Sequence, residues 1–465
     1  MDIKRDSINK LFNPRSVAVI GASEKPAKLG FHVMLSLTKG DFPGMIIPVN
    51  PGSKEIMGLK AFPSIKGLPY EIDLAIIVLP AKMVPAIFEE CLSKGVKGIV
   101  LISAGFKEID DPVGVDLHEK LAKVVKRANV PVIGPNTFGM INLQVNLNAS
   151  FTPEFSLLKK GGIGLVSQSG GMCHLLCFMA IRNDIGFSKI VGIGNRLNVD
   201  FAQMVDYLMQ DRNTDVIALY MEGIDRPRQL IDTAKTYKGK KPIIAYKTGI
   251  GDIGDSASRS HTGSLAGRGE IYSGAFAQAG ILGLNSVEAL LDTAKALAGS
   301  PLPKGPGVAI LSSQAGPGIA AADICQMGGL NIVSFTRETQ GRINEILPPL
   351  ALRTNPVDMG PGWYNPEAMV GILRAVMRDE NVAGILLFAM FASANIDSIK
   401  GLSSLGKDRG QKKPIITCLS APPGIWDEQI KGFQEAALLV NFPTPERAAR
   451  VMVNLNRYRN LIIDQ

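Results

Sequence analysis

Short runs of consecutive apolar residues alternate along the chain with longer segments in which apolar positions recur every three or four residues. An apolar run of four to eight residues bounded by turn residues predicts a strand buried on both faces. The longer 3.6-residue period predicts an amphipathic helix. "SVAVIGA" (16–22) reads as a first strand and "FHVMLSLTKG" (31–40) as the helix after it. "GMIIPVNP", "LAIIVLP", "GIVLISAGF" and "VPVIGPN" follow as four more strands, which predicts one doubly wound parallel sheet ending near residue 145. A second set opens with "GGIGLVSQSGG", runs through "IVGIGN", "VIALYMEG" and "PIIAYKTG", and closes with the helical "VEALLDTAKALAG". "SPLPKGPG" (300–307), with three prolines and two glycines, reads as a linker. A third set then begins at "GVAILSSQAGPG", passes through "GILLFAMF" and "PIITCLS", and ends in the helix "PERAARVMVNLNRYRNL". The expectation is three α/β domains, 1–148, 149–299 and 300–465, each with its ligand-binding loops at the carboxyl ends of its strands.

Composition narrows the class. Of 465 residues, 46% are hydrophobic and only 20% charged, which suits packed α/β domains and excludes a disordered chain. No apolar run approaches the roughly 18 residues that would span a bilayer, so no membrane partner is expected. The start, "MDIKRDSINKLF", lacks the apolar centre of a secretory signal, and the five cysteines form no CxxC pair; both point to a cytoplasmic protein with reduced thiols. Cys173 and Cys177, with His174 between them, fall short of the four ligands usual for zinc, and no metal site is expected. The net charge of +8 is spread without a dense basic and aromatic cluster, which argues against nucleic acid and suits an anionic small molecule.

The strand-end loops hold the candidate chemistry. After the first strand come Gly21, Ala22 and Ser23, then Lys28 and Gly30 at a helix start, where backbone N–H groups attract phosphate. The loop is not GxGxxG, and the second strand ends in Asn50 rather than the acidic residue that would hold a ribose, so a dinucleotide is disfavoured. Lys54 follows in "NPGSKEIMG", placed to reach an anion. Ser103, Ala104 and Gly105 end the fourth strand, and Asn136 the fifth. Each loop alone reads equally as a tight turn; four along one sheet edge favour a nucleotide-like ligand. In the second set Gln168, Ser169, Gly170 and Gly171 lead from a strand into an apolar helix, a second anion-attracting start. Glu222 ends a strand of the same sheet, either as a solvated carboxylate or as a hydrogen-bond partner for an imidazole.

His261 is one of four histidines and lies in "GDSASRSHTGSLAG", a segment too small and polar to pack. The reading is either an ordinary loop histidine or a chemical one. Among chemical roles, a metal ligand wants partners that the segment lacks, and "SQSGG" is not the GxSxG elbow of a hydrolytic triad. A nucleophilic imidazole that carries a phosphoryl group remains. Six glycines and four serines between residues 249 and 269 give such a histidine few anchors. About ten extended residues on either side would reach roughly 30 Å.

Taken in order, "NPRSVAVIGAS", "ISAGF", "GPNTFG", "LVSQSGG", "SRSHTGSLAG", "SSQAGPGIAAADICQ" and "NPVDMG" give the chain a resemblance over nearly its whole length. It resembles the α-subunits of ADP-forming acyl-CoA synthetases, relatives of succinyl-CoA synthetase, and most nearly the acetate–CoA ligase branch. The resemblance implies an N-terminal Rossmann-like CoA-binding domain followed by two flavodoxin-like domains. It implies that Gly21, Ala22, Ser23, Lys28, Gly30, Asn50 and Lys54 bind coenzyme A. Ser103, Ala104 and Gly105 would then lie along the pantetheine arm, with Asn136 near the thioester. It further implies that Gln168, Ser169, Gly170 and Gly171 cradle the phosphoryl group of a phosphohistidine at His261, which Glu222 orients. Nothing after residue 300 resembles the ATP-grasp unit of such enzymes. The resemblance therefore implies a separate ATP-grasp β-subunit holding ATP or ADP and Mg²⁺, in an α2β2 assembly that acts on a small carboxylic acid and phosphate. The rival from another class is a CoA-binding regulator without turnover.

Overall fold

The computed structural model describes residues 3, 5–109, 111–251, 253–254, 269–407 and 413–463. The chain divides into two compact units, Met1–Leu291 and Asp292–Gln465.

The first unit contains two sheets. The first sheet comprises β1 (Ser16–Ile20), β2 (Met45–Val49), β3 (Leu74–Ile77), β4 (Gly98–Leu101) and β5 (Val132–Ile133), all parallel, in the order β2-β1-β3-β4-β5. Its strands alternate between two cores because successive side chains leave on opposite faces. Val17, Val19, Leu74, Ile76, Val100 and Ile133 pack on one side, and Ala18, Ile20, Ala75, Ile77, Ile99 and Leu101 on the other. Burial on both faces explains why these strands read as unbroken apolar runs.

Residues 139–150 do not continue that sheet. They form the hairpin β6 (Gly139–Asn142) and β7 (Leu147–Ser150), which pairs antiparallel with the second sheet through Ile141 opposite Ile190, so the boundary expected at residue 148 falls inside β7. The second sheet continues with β8 (Lys159–Ser167), β9 (Gly186–Gly192), β10 (Val216–Met221), β11 (Ile243–Lys247) and β12 (Ile281–Leu284). Its order is β12-β11-β10-β8-β9-β6-β7. Its parallel strands repeat the winding of the first sheet: the chain turns back at the opening strand, so β8 lies between β9 and β10. The crevice between β8 and β10 is such a sheet's natural ligand position.

The second unit holds β13 (Gly307–Ser312), β14 (Asn331–Ile332), β15 (Val357–Asp358), β16 (Gly384–Met390), β17 (Ile415–Ser420) and β18 (Val440–Asn441). They run β14-β13-β16-β17-β18, with β15 also paired to β13. The division between the units falls within the helix Val287–Gly299, ahead of the linker expected at 300–307. Among the described residues no helix is long and apolar enough to cross a membrane.

Candidate active site

Because β1 to β5 are parallel, all five strand-end loops leave the same edge of the first sheet, and hydrogen bonds join neighbouring loops. Asn50 Nδ2 donates to the Ala22 carbonyl at 2.7 Å, while its Oδ1 accepts from Gly52 N at 2.8 Å, so this side chain fixes both its own turn and the one beside it. Ser103 Oγ accepts from Leu79 N at 3.1 Å, and Asn136 N donates to the Ser103 carbonyl at 2.9 Å. Asn136 itself stands in the left-handed region at φ 56°.

Two glycines of the first loop are required by the fold itself. Gly21 has φ +95°, and a Cβ on Gly30 would strike the Gly21 carbonyl oxygen, so the helix Leu29–Lys39 can begin this close to β1 only with glycine there. Lys28 at the helix start and Lys54 beyond β2 are both exposed, with no ion pair at either among the described residues. The edge thus combines pinned backbone, a helix start and two accessible cations. That arrangement suits a phosphorylated ligand. Ala22 and Ser103 are buried, whereas Ala104 is exposed.

The second constellation lies at the crevice between β8 and β10. β8 ends in Ser167, whose hydroxyl donates to the Ser169 carbonyl at 2.7 Å; Ser169 then caps the helix Gly170–Arg182 by accepting from Met172 N at 3.4 Å. The Gln168 side chain crosses to β10, where its Oε1 accepts from Glu222 N at 2.9 Å and Gly223 N at 3.0 Å. On the other side Lys247 Nζ donates to the Glu222 carbonyl at 2.8 Å. Glu222 is therefore held by its own backbone from two neighbouring strands, and the residue is partly buried. A Cβ at Gly171 would meet nothing within 4 Å. Packing therefore does not require glycine at this helix start. His174, one turn into the helix, has both ring nitrogens engaged, by the Gly170 carbonyl at 2.8 Å and the Thr152 hydroxyl at 2.7 Å.

His261 lies outside the described residues. The chain bearing it departs from a defined place: Lys247, the last residue of β11, pairs with Met221, and Thr248 N donates to the Met221 carbonyl at 2.9 Å. The segment thus leaves the sheet one residue from Glu222. It returns where it left, since a Cβ on Gly269 would sit 3.0 Å from Ile250 Cβ.

Sequence reasoning missed the groups that bind these loops together. Glu108 accepts from Gly105 N at 2.6 Å, Phe106 N at 3.1 Å and Asn195 Nδ2 at 2.5 Å. Arg196, its side chain 1% exposed, reaches the Gly223 carbonyl at 2.6 Å and the Asp225 carboxylate at 3.0 Å. Burial raises the pKa of Asp200 beside it, against the pull of the Arg196 guanidinium. Burial, aided by the nearby Lys107 ammonium, pushes His118 down to about 4, so that imidazole is neutral near pH 7. Among the described residues no group of three or more His, Cys, Asp or Glu side chains is placed to hold a metal ion.

Two family models match the chain: a CoA binding domain over residues 15–142 and a succinyl-CoA ligase like flavodoxin domain over residues 160–297. The α-subunit of acetate–CoA ligase (ADP-forming) II from Pyrococcus furiosus is 37% identical over 95% of this chain and 96% of its own length. Acetate–CoA ligase (ADP-forming) I from Archaeoglobus fulgidus is 38% identical over 98% of this chain, which spans 64% of that longer protein. Among solved structures, a dinucleotide-forming acetyl-coenzyme A synthetase 1 from Ca. Korarchaeum cryptofilum, in complex with phosphate and ADP, superposes with a TM-score of 0.90. It shares 32% identity and covers 98% of this chain and 97% of that one. With a CoA-binding sheet, a flavodoxin-like sheet and full-length likeness to these subunits, the chain belongs to the family of α-subunits of ADP-forming acetate–CoA ligases.

Proposed function

We propose that the chain is the catalytic α-subunit of an ADP-forming acid–CoA ligase that interconverts acyl-CoA, phosphate and ADP with carboxylate, CoA and ATP, using His261 as the phosphoryl carrier. The supporting observation is the place where its segment leaves the sheet: beside Glu222, across the β8–β10 crevice from the Ser169–Gly171 helix start, in the same unit as the five strand-end loops. The loops at Gly21, Asn50, Lys54, Ser103 and Asn136 hold coenzyme A. An oxygen of inorganic phosphate attacks the thioester carbonyl; the C–S bond breaks, CoA leaves as the thiol, and an acyl phosphate forms. An imidazole nitrogen of His261 then attacks phosphorus, and the P–O bond to the acyl group breaks to release the carboxylate. Glu222 accepts the hydrogen bond from the other ring nitrogen and stabilises the positive charge that the ring acquires. N–H groups of the Gly170–Arg182 helix start face the phosphoryl oxygens, whose charge grows in the transition state.

The second half of the cycle passes the phosphoryl group to ADP. The ATP-grasp site for the nucleotide and Mg²⁺ belongs to a separate β-subunit, in an α2β2 complex. Two facts support this. The Pyrococcus relative is itself an α-subunit, and the longer Archaeoglobus ligase extends well beyond the length matched here. The deciding assay supplies the co-purified complex with acetyl-CoA, phosphate, ADP and Mg²⁺, and follows ATP and free thiol together. Stoichiometric release of both is expected. CoA binding without either product would make the chain a regulator.

Two variants test the binding loops. Lys54→Ala removes one charge-assisted contact to a phosphate, worth about 1.5–3 kcal/mol, and should weaken CoA binding roughly ten- to a hundredfold. Phosphorylation of His261 by acetyl phosphate should change far less; equal CoA affinity by calorimetry would remove Lys54 from the site. Gly171→Ala should raise stability, by at most about 0.5–1 kcal/mol, because nothing in the fold opposes the added methyl. The same methyl crowds the phosphoryl oxygens and should slow labelling of His261. A variant both more stable and equally fast would place the anion elsewhere.

A further inference from the structure

The turn Gly194-Asn195-Arg196 after β9 carries neither of the groups assigned above to chemistry, yet it touches the loops that do. Gly194 and Arg196 both stand in the left-handed region, at φ +51° and 57°. A Cβ on Gly194 would strike the carbonyl oxygens of Pro135 and Asn136. A non-glycine residue held at positive φ is strained, and such strain persists where the surroundings over-determine the position. Here they do. Asn195 N donates to the Pro135 carbonyl at 2.9 Å and Leu197 N to the Gly134 carbonyl at 3.2 Å, locking the turn against the loop after β5. Asn195 Nδ2 reaches Glu108, whose other oxygen holds Gly105 N and Phe106 N.

Arg196 points the opposite way. Its guanidinium donates to the Gly223 carbonyl at 2.6 Å and to Asp225 at 3.0 Å, with Asp200 3.7 Å away. Residue Gly223 is thereby gripped on both sides, its N–H by Gln168 and its carbonyl by Arg196. Glu222 is the residue immediately before it. Two directed bonds from one planar group fix orientation as well as distance.

We infer that Arg196 is a positioning residue for Glu222. It fixes Gly223, the residue next to the one that carries the carboxylate, while its turn ties the same strand end to the loop at Ser103–Gly105 through Asn195 and Glu108. The inference rests on the functional reading above, in which Glu222 orients the phosphorylated histidine. Its consequence is that the loop at Ser103–Gly105 and the histidine's acid keep one registry, although they belong to different sheets of the unit.

The test uses the complete complex, acetyl-CoA and radiolabelled inorganic phosphate, with acid-labile label on His261 as the readout. Arg196→Lys keeps the charge but replaces the planar fork, whose two terminal nitrogens hold the two acceptors in a fixed geometry, with one freely rotating ammonium. Labelling should slow roughly ten- to a hundredfold, the scale of a displacement of about 1 Å in a reacting group. The Kd for CoA should stay within about twofold. In a Glu222→Gln background the same substitution should cost little more, because the group it positions is already lost; contacting residues that act as a unit are non-additive. An equal loss in both backgrounds, or a matching loss of CoA affinity, would reduce Arg196 to a structural residue and overturn the inference. Should Arg196→Lys fail to fold, Asp225→Asn removes the charge from one anchor of the guanidinium and should show the same non-additivity in weaker form. Wild-type complex that takes up no label would overturn the functional reading instead. Wild-type labelling with an Arg196→Lys variant equally fast would overturn this inference alone.

Discussion

His261→Ala in the assembled complex is expected to make no ATP from acetyl-CoA, phosphate and ADP, and to take up no acid-labile, base-stable phosphate. The effect should be complete rather than graded, because covalent catalysis through the imidazole has no substitute once the ring is gone. Loss of turnover alone would not identify the step. The informative measurement is acyl phosphate formation, which precedes the histidine and depends on the CoA loops. The variant should still release CoA thiol on mixing with acetyl-CoA and phosphate, up to the amount set by that first equilibrium, and should then stop. A variant that still forms ATP would show that the phosphoryl group travels without the histidine.

Glu222→Gln is expected to produce the second largest effect. The carboxylate is anchored through its backbone: Glu222 N to Gln168 and Glu222 O to Lys247. The amide keeps both bonds and the shape of the side chain, so the fold should survive and CoA affinity should hold. What disappears is the negative charge that fixes one tautomer of His261 and balances the ring as it takes up the phosphoryl group. Losses of roughly 10²–10⁴ accompany removal of such an acid from a histidine elsewhere, and that range is expected for labelling here. Normal labelling would mean that Glu222 is an ordinary solvated strand end.

The main strands were legible because each is buried on both faces and therefore written as an apolar run, as with Ser16–Ile20 and Leu74–Ile77. Two-residue strands such as Asn331–Ile332 and Val357–Asp358 carry too few positions to show any period. The hairpin at 139–150 straddles the boundary expected at residue 148, because its apolar residues fit either sheet and only the pairing of Ile141 with Ile190 decides. At the site, glycines, the Ser169 cap and the acid ending β10 stand next to strands and helix starts, where local rules apply. Glu108, Asn195 and Arg196 act across 87 and 27 positions of chain, and no local pattern marks a buried arginine whose partner is a distant carbonyl.

The meeting of Ile250 with Gly269 has a bearing on how the His261 segment tolerates change. For a flexible chain between two fixed points, the entropy of closure varies only logarithmically with length. Doubling such a loop costs about 0.6 kcal/mol, well within the stability margin of an ordinary domain. Insertions and deletions between these two points should therefore leave the melting temperature nearly unchanged while altering how far the histidine can be carried. Segment length becomes a ruler: a series of variants, each folded and each labelled by acetyl phosphate or by ATP, would measure from the two cut-offs how far apart the acyl and nucleotide sites stand.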